Sequence, residues 1–359
     1  MIAYGVFREG GRTRVGARVD AGVLDLDAAL GDEVFRAASL NPFMARGPGF
    51  WRETHARVKE LDAPLLEPGG VELLMPFDVA DYVDFFSSLH HATNMGRMFR
   101  PDAEPLFPNW RHLPVAYHGR SGTVVPSGTP VHRPCGQRPG PEFGPSARLD
   151  IELEAGFVIG LPSALGDPVP VGRALDHVFG MVLVNDWSAR DIQAWEYQPL
   201  GPFLGKSFAT SVSRWVVPLI ELEGRRVATA PQEPEPLPYL LEESWAYDVA
   251  LEVELNGTVI TRTNMRHLYW SITQQVAHLT VNGASLRTGD LLATGTISGP
   301  ERESRGCLIE LSWNGKEPIE LPGGETRTFL EDGDEVVLRG EGIGEVRGRI
   351  EPASQSDTR

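Results

Sequence analysis

Cysteine is nearly absent from this chain. Cys135 and Cys307 are the only two among 359 residues, too few for a disulfide framework, and no Cys/His zinc spacing surrounds them. Positive charge is also in deficit, with 33 Lys and Arg against 49 Asp and Glu and a net charge of −16. Nucleic acid and anionic membrane are both repelled by such a surface, so neither is an expected partner. No apolar run approaches the roughly 20 residues that a membrane helix requires. The N-terminus lacks a basic stretch followed by a long apolar one, so no signal peptide is expected. Together these absences predict a soluble, cytoplasmic protein. They leave an anionic substrate open, because local arginines and a metal ion reverse the field inside a cleft.

What remains is ordinary for a globular protein: 41% hydrophobic and 23% charged residues, in a chain long enough for two domains. Residues 2–26 alternate like short strands, with Gly10-Gly11 and Asp20-Ala21-Gly22 supplying turns. Residues 32–61 are more helical, and the Pro/Gly-rich run 63–70 reads as a linker closed by Pro76. A small β-rich domain is therefore expected over 1–76, a larger domain over 77–350 and a polar tail over 351–359. In the larger domain strands are expected at 151–159, 178–184, 215–222, 248–255, 308–313, 334–338 and 345–350. Helices are expected near 81–99 and 265–281. Many strands, few helices and no βαβ alternation predict a mainly β protein with a rolled or sandwiched sheet. Residues 126–146 and 221–243 read as surface loops.

The densest polar segment runs from Met181 to Lys206. An apolar strand, Met181 to Val184, is followed by Asn185, Asp186, Arg190, Asp191, Gln193, Glu196, Tyr197 and Lys206. Groups packed so densely behind a core strand are costly to desolvate without partners, which marks a polar site at a strand end. Asp84 and His91 lie seven residues apart, two turns on the expected helix, and so share a face. Glu152 and Glu154 alternate with Ile151, Leu153 and Ala155 and fall on one side of a strand. Two such carboxylates repel unless solvated or bridged by a cation. With Asp84 and Asp186 they would form an all-oxygen site, which selects a hard ion, Mg²⁺ or Ca²⁺ with Mn²⁺ as a further option, over zinc. Two further clusters, Pro108 to Arg120 and Gly295 to Glu301, are aromatic-basic and glycine-hydroxyl in character. Taken singly, the segment 181–206 is equally explained by a solvated loop, and for each of the other groups a cap, a packed histidine, an exposed sheet face or an ordinary loop is the commoner explanation.

Taken in order, these clusters resemble the fumarylacetoacetate hydrolase family, with similarity from about Asp78 to Gly348 that includes the runs Leu204–Thr210 and Val281–Glu301. The resemblance implies an N-terminal SH3-like β-barrel and a C-terminal β-roll or sandwich of that family's type. It places the family's metal carboxylates on Asp84, Glu152, Glu154 and Asp186. A second cation site falls on Asp186, Lys206 and Thr210, with a backbone or hydroxyl oxygen serving where lysine is concerned. The general base falls on His91, oriented by Glu310. Arg190, Gln193 and Lys206 fall on catalytic positions, and Arg100, Tyr117, Gln193, Tyr197 and Thr296 on substrate contacts. Phe86 stands where the family has a substrate-contacting tyrosine, so that hydroxyl is missing here.

The activity so implied is metal-dependent hydrolysis of the carbon–carbon bond of a diketo diacid, 4-fumarylacetoacetate, the last step of tyrosine and phenylalanine breakdown, by a homodimer. Water activated by a histidine adds to the ketone, and arginine and amide donors stabilise the oxyanion. Two rivals are a shorter acylpyruvate-type hydrolase or decarboxylase of the same superfamily and a non-catalytic, cation-bound ligand-binding protein. The second has no use for a His91–Glu310 pair.

Overall fold

The N-terminal alternation forms the sheet it predicts. Ala3–Glu9, Arg12–Val19 and Gly22–Asp25 pair antiparallel in sequence order. Gly10 and Gly11 turn the first hairpin at φ of 55° and 79°, where a β-carbon would be strained. Glu72–Leu73 adds to the free edge of the first strand. The expected linker is tied to this sheet, because Val23 and Leu66 exchange backbone hydrogen bonds of 3.0 and 2.8 Å. Helix Gly47–Glu60 buries Trp51, Thr54, His55 and Val58, an i, i+3, i+4, i+7 stripe that turns one face inward.

The larger unit in this computed structural model, which describes residues 1–140 and 142–354, is two packed sheets. An eight-stranded sheet is centred on Leu153–Ile159 and Val178–Asp186, flanked by Leu291–Ala293, Tyr82–Phe85 and Ala116–His118 on one side and Thr210–Val212 and Val124–Pro126 on the other, with Val217–Pro218 also pairing to Val178–Asp186. A five-stranded sheet holds Thr258–Asn264, Ala250–Leu255, Glu335–Gly340, Gly344–Glu351 and Val131–His132. Leu153, Ala155, Phe157, Met181 and Leu183 meet Leu251, Val253, Leu338 and Val346 between the sheets. Alternate residues Val158, Val182, Val184 and Leu291 face the other way and share a core with Tyr4, Phe43 and Trp51 of the N-terminal unit. Burial on both faces explains why these central strands read as unbroken apolar runs. Phe179 anchors the seam, with ring centroids 5.3 Å from both Phe43 and Trp51. Such aromatic pairs contribute roughly 0.5–1.5 kcal/mol each beyond their buried area.

Several expected elements differ. The helix expected over 81–99 is instead the strand Tyr82–Phe85 followed by helix Leu89–Phe99. Leu291–Ala293 and Ala116–His118 recruit the strand on its two edges, and the Ser88 hydroxyl accepts from the His91 amide to start the helix. Asp84 and His91 therefore do not share a helix face. Residues 308–313, expected as a strand, open with helix Leu308–Leu311, whose first amides donate to Asp150. Of 215–222 only Val217–Pro218 is a strand, running into a helical turn. The helix near 265–281 shortens to Ile272–Thr280 behind a capping box of Ser271 and Gln274. The loop 126–146 contains the hairpin strands Cys135–Arg138 and Glu142–Pro145. The last strand ends at Glu351, and residues 355–359 of the expected tail lie outside the described residues.

Candidate active site

Three of the four expected metal carboxylates converge. Asp84, Glu154 and Asp186 each present an oxygen within 4.8 Å of the others, all from buried side chains. Strand alternation puts them there, since each is an even-numbered residue of a strand whose odd-numbered neighbours fill the core between the sheets. Both carboxylate oxygens of Glu154 and Oδ1 of Asp84 have no hydrogen-bond partner among the described residues. Burial, reinforced by the neighbouring acids, pushes Glu154 far above the usual carboxylate range. Asp84 is pushed up to about 6, by burial first and Asp186 second, against Arg120 and Lys206. A buried acid with nothing to hydrogen-bond is costly, and an oxygen-ligated divalent cation removes that cost. The residues present fit such an ion.

Glu152, the fourth acid, faces cations. Its oxygens lie 2.7 Å from Lys206 Nζ and 2.6 Å from an Arg190 nitrogen. Burial opposes its ionisation, but Lys206 and Arg190 outweigh burial and hold it below the usual range. Lys206 also reaches Asp186 at 2.5 Å. Burial alone would lower the Lys206 pKa, yet Asp186 and Glu152 raise it, so its ammonium pairs with the acids and only its backbone oxygen is left for a cation. The Thr210 hydroxyl donates to Asp186 at 2.8 Å.

Beside this cluster His91 Nδ1 lies 2.6 Å from Glu310 Oε2. Glu310 accepts three more bonds, from Asn94 at 2.8 Å, Ser298 at 2.8 Å and Cys307 at 3.1 Å. Burial pushes the carboxyl up, but the His91 charge and these donors prevail and hold it at about 2. The carboxylate therefore stays ionised and fixes the imidazole through Nδ1. The ring nitrogen remote from Glu310 is left as the basic one.

A pocket of about 630 Å³ opens over both clusters. Its floor includes Asp84, His91, Glu152, Arg190 and Lys206, and its walls include Phe86, Tyr117, Gln193 and Thr296. Thr296 Oγ1 and one Arg190 terminal nitrogen are buried there without a partner among the described residues. Arg190 donates Nε to Asp150 at 2.8 Å, which orients it, and a terminal nitrogen to the Gln193 side-chain oxygen at 3.2 Å. Arg100 lies farther along, its guanidinium 3.9 Å from the Phe107 centroid and donating to the Pro105 carbonyl at 2.6 Å. Tyr197 stands half exposed at the pocket edge. Phe86 packs edge-on to His91, centroids 5.2 Å apart, and presents no hydroxyl. All expected site residues thus fall in or directly behind one pocket.

Two members of the site were missed. Arg120 bridges Asp186 at 2.6 Å and Asp84 at 2.8 Å, donates to the Tyr117 hydroxyl at 3.0 Å and is itself buried. The Tyr117–Arg120 cluster drew notice, but only a fold shows that its arginine turns toward acids 36 and 66 residues away. Asp150 is fully buried and accepts from Ile151, Leu308 and Ile309 amides as well as from Arg190. It joins the Arg190 arm to the helix that carries Glu310. The alternation Asp150, Glu152, Glu154 was its one sequence signal.

The chain is similar to known proteins along most of its length. Residues 82–351 match the family model described as fumarylacetoacetate (FAA) hydrolase C-terminal. Fumarylacetoacetase of Bos taurus is 44% identical over 399 aligned residues, covering 98% of this chain and 95% of that protein. Fumarylacetoacetase of Arabidopsis thaliana is 46% identical at the same coverages. Both alignments extend past the 78–348 similarity expected from the motifs. Among solved structures, a fumarylacetoacetate hydrolase from psychrophilic Exiguobacterium antarcticum superposes with a TM-score of 0.63 at 20% identity, over 98% of this chain and 100% of that one. That superposition supports the fold alone.

Proposed function

The chain belongs to the fumarylacetoacetate hydrolase family, and from that membership we infer that it hydrolyses 4-fumarylacetoacetate to fumarate and acetoacetate. The observation that carries the reading is the pairing of two unlike clusters in one pocket: buried acid oxygens with no partner beside a histidine held by an ionised glutamate. We propose Asp84, Glu152, Glu154 and Asp186 as the cation ligands, and Asp186, Thr210 and the Lys206 backbone as a second cation site. A divalent ion held by these residues, Mg²⁺ or Ca²⁺ with Mn²⁺ as an alternative, would supply Lewis-acid charge to polarise the diketone.

The chain's own groups carry the rest. His91 takes a proton from water through the ring nitrogen remote from Glu310, and the hydroxide adds to the ketone carbon next to the fumaryl chain. The carbonyl electron pair moves onto oxygen, and Arg190, Gln193 and Lys206 stabilise that oxyanion. When it collapses, the carbon–carbon bond pair passes to the acetoacetate carbon, which takes the proton held on His91. Fumarate leaves, its carboxylic proton going to solvent. Arg100 and Tyr117 bind carboxylate, since a planar guanidinium suits that group, while Tyr197 and Thr296 complete the contacts. We propose that residues 1–76 form an SH3-like module, packed through a shared core on the large sheet, and that the enzyme works in the cytoplasm as a homodimer.

A spectrophotometric assay with fumarylacetoacetate tests the reading. Turnover should stop with EDTA and return with Mg²⁺ or Ca²⁺. Undiminished turnover after complete metal removal, or turnover of acylpyruvates alone, would overturn it.

A further inference from the structure

A second cleft, of about 750 Å³, opens at the seam between the N-terminal sheet and the C-terminal sheets. It shares no lining residue with the substrate pocket. Four arginines and two glutamates line it: Arg18, Arg214, Arg339, Arg347, Glu341 and Glu345. The acids are already engaged. Glu345 pairs with Arg347 at 2.9 Å, Glu341 with Arg225 at 3.0 Å, and Arg339 has Glu254 at 2.6 Å. No carboxylate among the described residues pairs with Arg18 or Arg214. In a chain of net charge −16, two half-buried arginines without an acid, lining one cleft, call for an explanation.

Their surroundings leave donors free. Arg214 donates Nε to the Ser127 carbonyl at 2.7 Å and a terminal nitrogen to the Leu73 carbonyl, which fixes the plane of its guanidinium. Its other terminal nitrogen lies over Gly128, 3.5 Å from where a β-carbon would stand. Arg18 has one long contact, 3.4 Å to the Gly342 carbonyl, and its second terminal nitrogen lies over Gly344. Both glycines have positive φ, 89° and 97°, so the floor under both guanidinium edges is bare backbone. Burial lowers the pKa of both arginines, opposed by no acid at Arg18 and by only Glu72 at Arg214.

We propose that this seam cleft binds a small dianion, a phosphate group or a dicarboxylate, between Arg18 and Arg214. Partly desolvated guanidinium forks gain short, charge-assisted bonds from such a ligand. Arg18 belongs to strand Arg12–Val19 of the N-terminal sheet, and Arg214 follows strand Thr210–Val212 of the large sheet. The bound anion thus clamps the two units from outside, in addition to their shared core.

Calorimetric titration of the whole, metal-loaded protein with inorganic phosphate and, separately, succinate tests this, with thermal melts in parallel. The parent should show a saturable site and a melting-temperature rise of several degrees. Arg18→Gln/Arg214→Gln should lose both while keeping normal turnover. Because Arg214 also holds backbone, Arg18→Gln alone provides a second variant and should weaken binding about tenfold. Binding at the catalytic pocket persists in every variant, so the difference reads the seam alone. Response to phosphate only identifies a phosphoryl ligand, and response to succinate only a dicarboxylate. Isotherms that superimpose between parent and both variants, or an absence of saturation with either ion, would overturn the proposal.

Discussion

Two buried acids of the same chain, Glu310 and Glu154, receive opposite treatment. Glu310 accepts four donors and is held ionised at about 2. Glu154 accepts none, and burial drives it far above the usual range. Both are fully enclosed, so burial does not separate them; the supply of donors does. The Glu310 cluster is complete within the chain and serves to aim a base. The Glu154 cluster is incomplete without a cation. The same residue type thus does two jobs because the fold hands one of them hydrogens and denies them to the other.

The largest way to break this contrast is to remove the base. His91→Ala should abolish nearly all turnover, on the order of 10²–10⁴-fold, while divalent affinity by calorimetry stays at the parent value. Glu310→Gln should cost less alone and little more when added to His91→Ala, since groups acting as a unit are strongly non-additive. Fully multiplicative effects would dissolve the pair.

Next in size is the incomplete acid. Glu154→Gln should weaken divalent binding about a hundredfold, with turnover partly restored by excess Mg²⁺. The sign of its stability effect sharpens the comparison. In EDTA, Glu154→Gln should melt higher than the parent, whereas Glu310→Gln, which strands donors, should lose about 1–3 kcal/mol.

Asp150→Asn should lower kcat about tenfold with metal affinity unchanged. An amide nitrogen cannot accept from the Leu308 and Ile309 amides and Arg190 as the carboxylate does. Double-mutant cycles against Arg190→Gln and against Glu310→Gln should both show coupling. Independence from either would remove Asp150 from its place between the two arms.

Stability against pH reads Glu310 and Asp84, a neighbour of Glu154, in opposite windows. Glu310 is depressed in the folded state, to about 2, so its contribution is present above the ordinary glutamate range and disappears as pH falls toward 2. Asp84 is raised, to about 6, so metal-free protein keeps that acid's favourable contribution below about pH 4 and loses it as pH climbs through 6. Melts in EDTA should therefore drop by a few degrees between pH 4 and 6 from this source, and Mg²⁺ should erase the drop. The smallest expected effect is Phe86→Tyr. Restoring one hydroxyl beside His91 should lower KM by a few-fold, worth about 1 kcal/mol, with kcat nearly unchanged.

The sequence made some of this legible and hid the rest for physical reasons. Alternation alone put Glu154 on a strand face opposite Leu153 and Ala155, and the apolar run ending at Asp186 marked a strand tip. Asp84 was placed in the site by a helix that does not exist. Tyr82–Phe85 is a strand because two distant strands pair with it, and local spacing carries no trace of such partners. Arg120 and Asp150 share that blindness. Asp150 meets Leu308 across 158 residues, and its role lies wholly in contacts that only folding creates.

The shared core behind the carboxylates bears on how the chain comes into being. Tyr4 and Phe43 leave the ribosome early, yet Phe179, Val182 and Leu291, which bury them, lie far downstream. At roughly 5–20 residues per second, the nascent N-terminal segment waits on the order of ten to sixty seconds with an apolar flank uncovered. A chaperone that engages aromatic surface during translation should therefore bind this segment and let go once residue 291 has emerged.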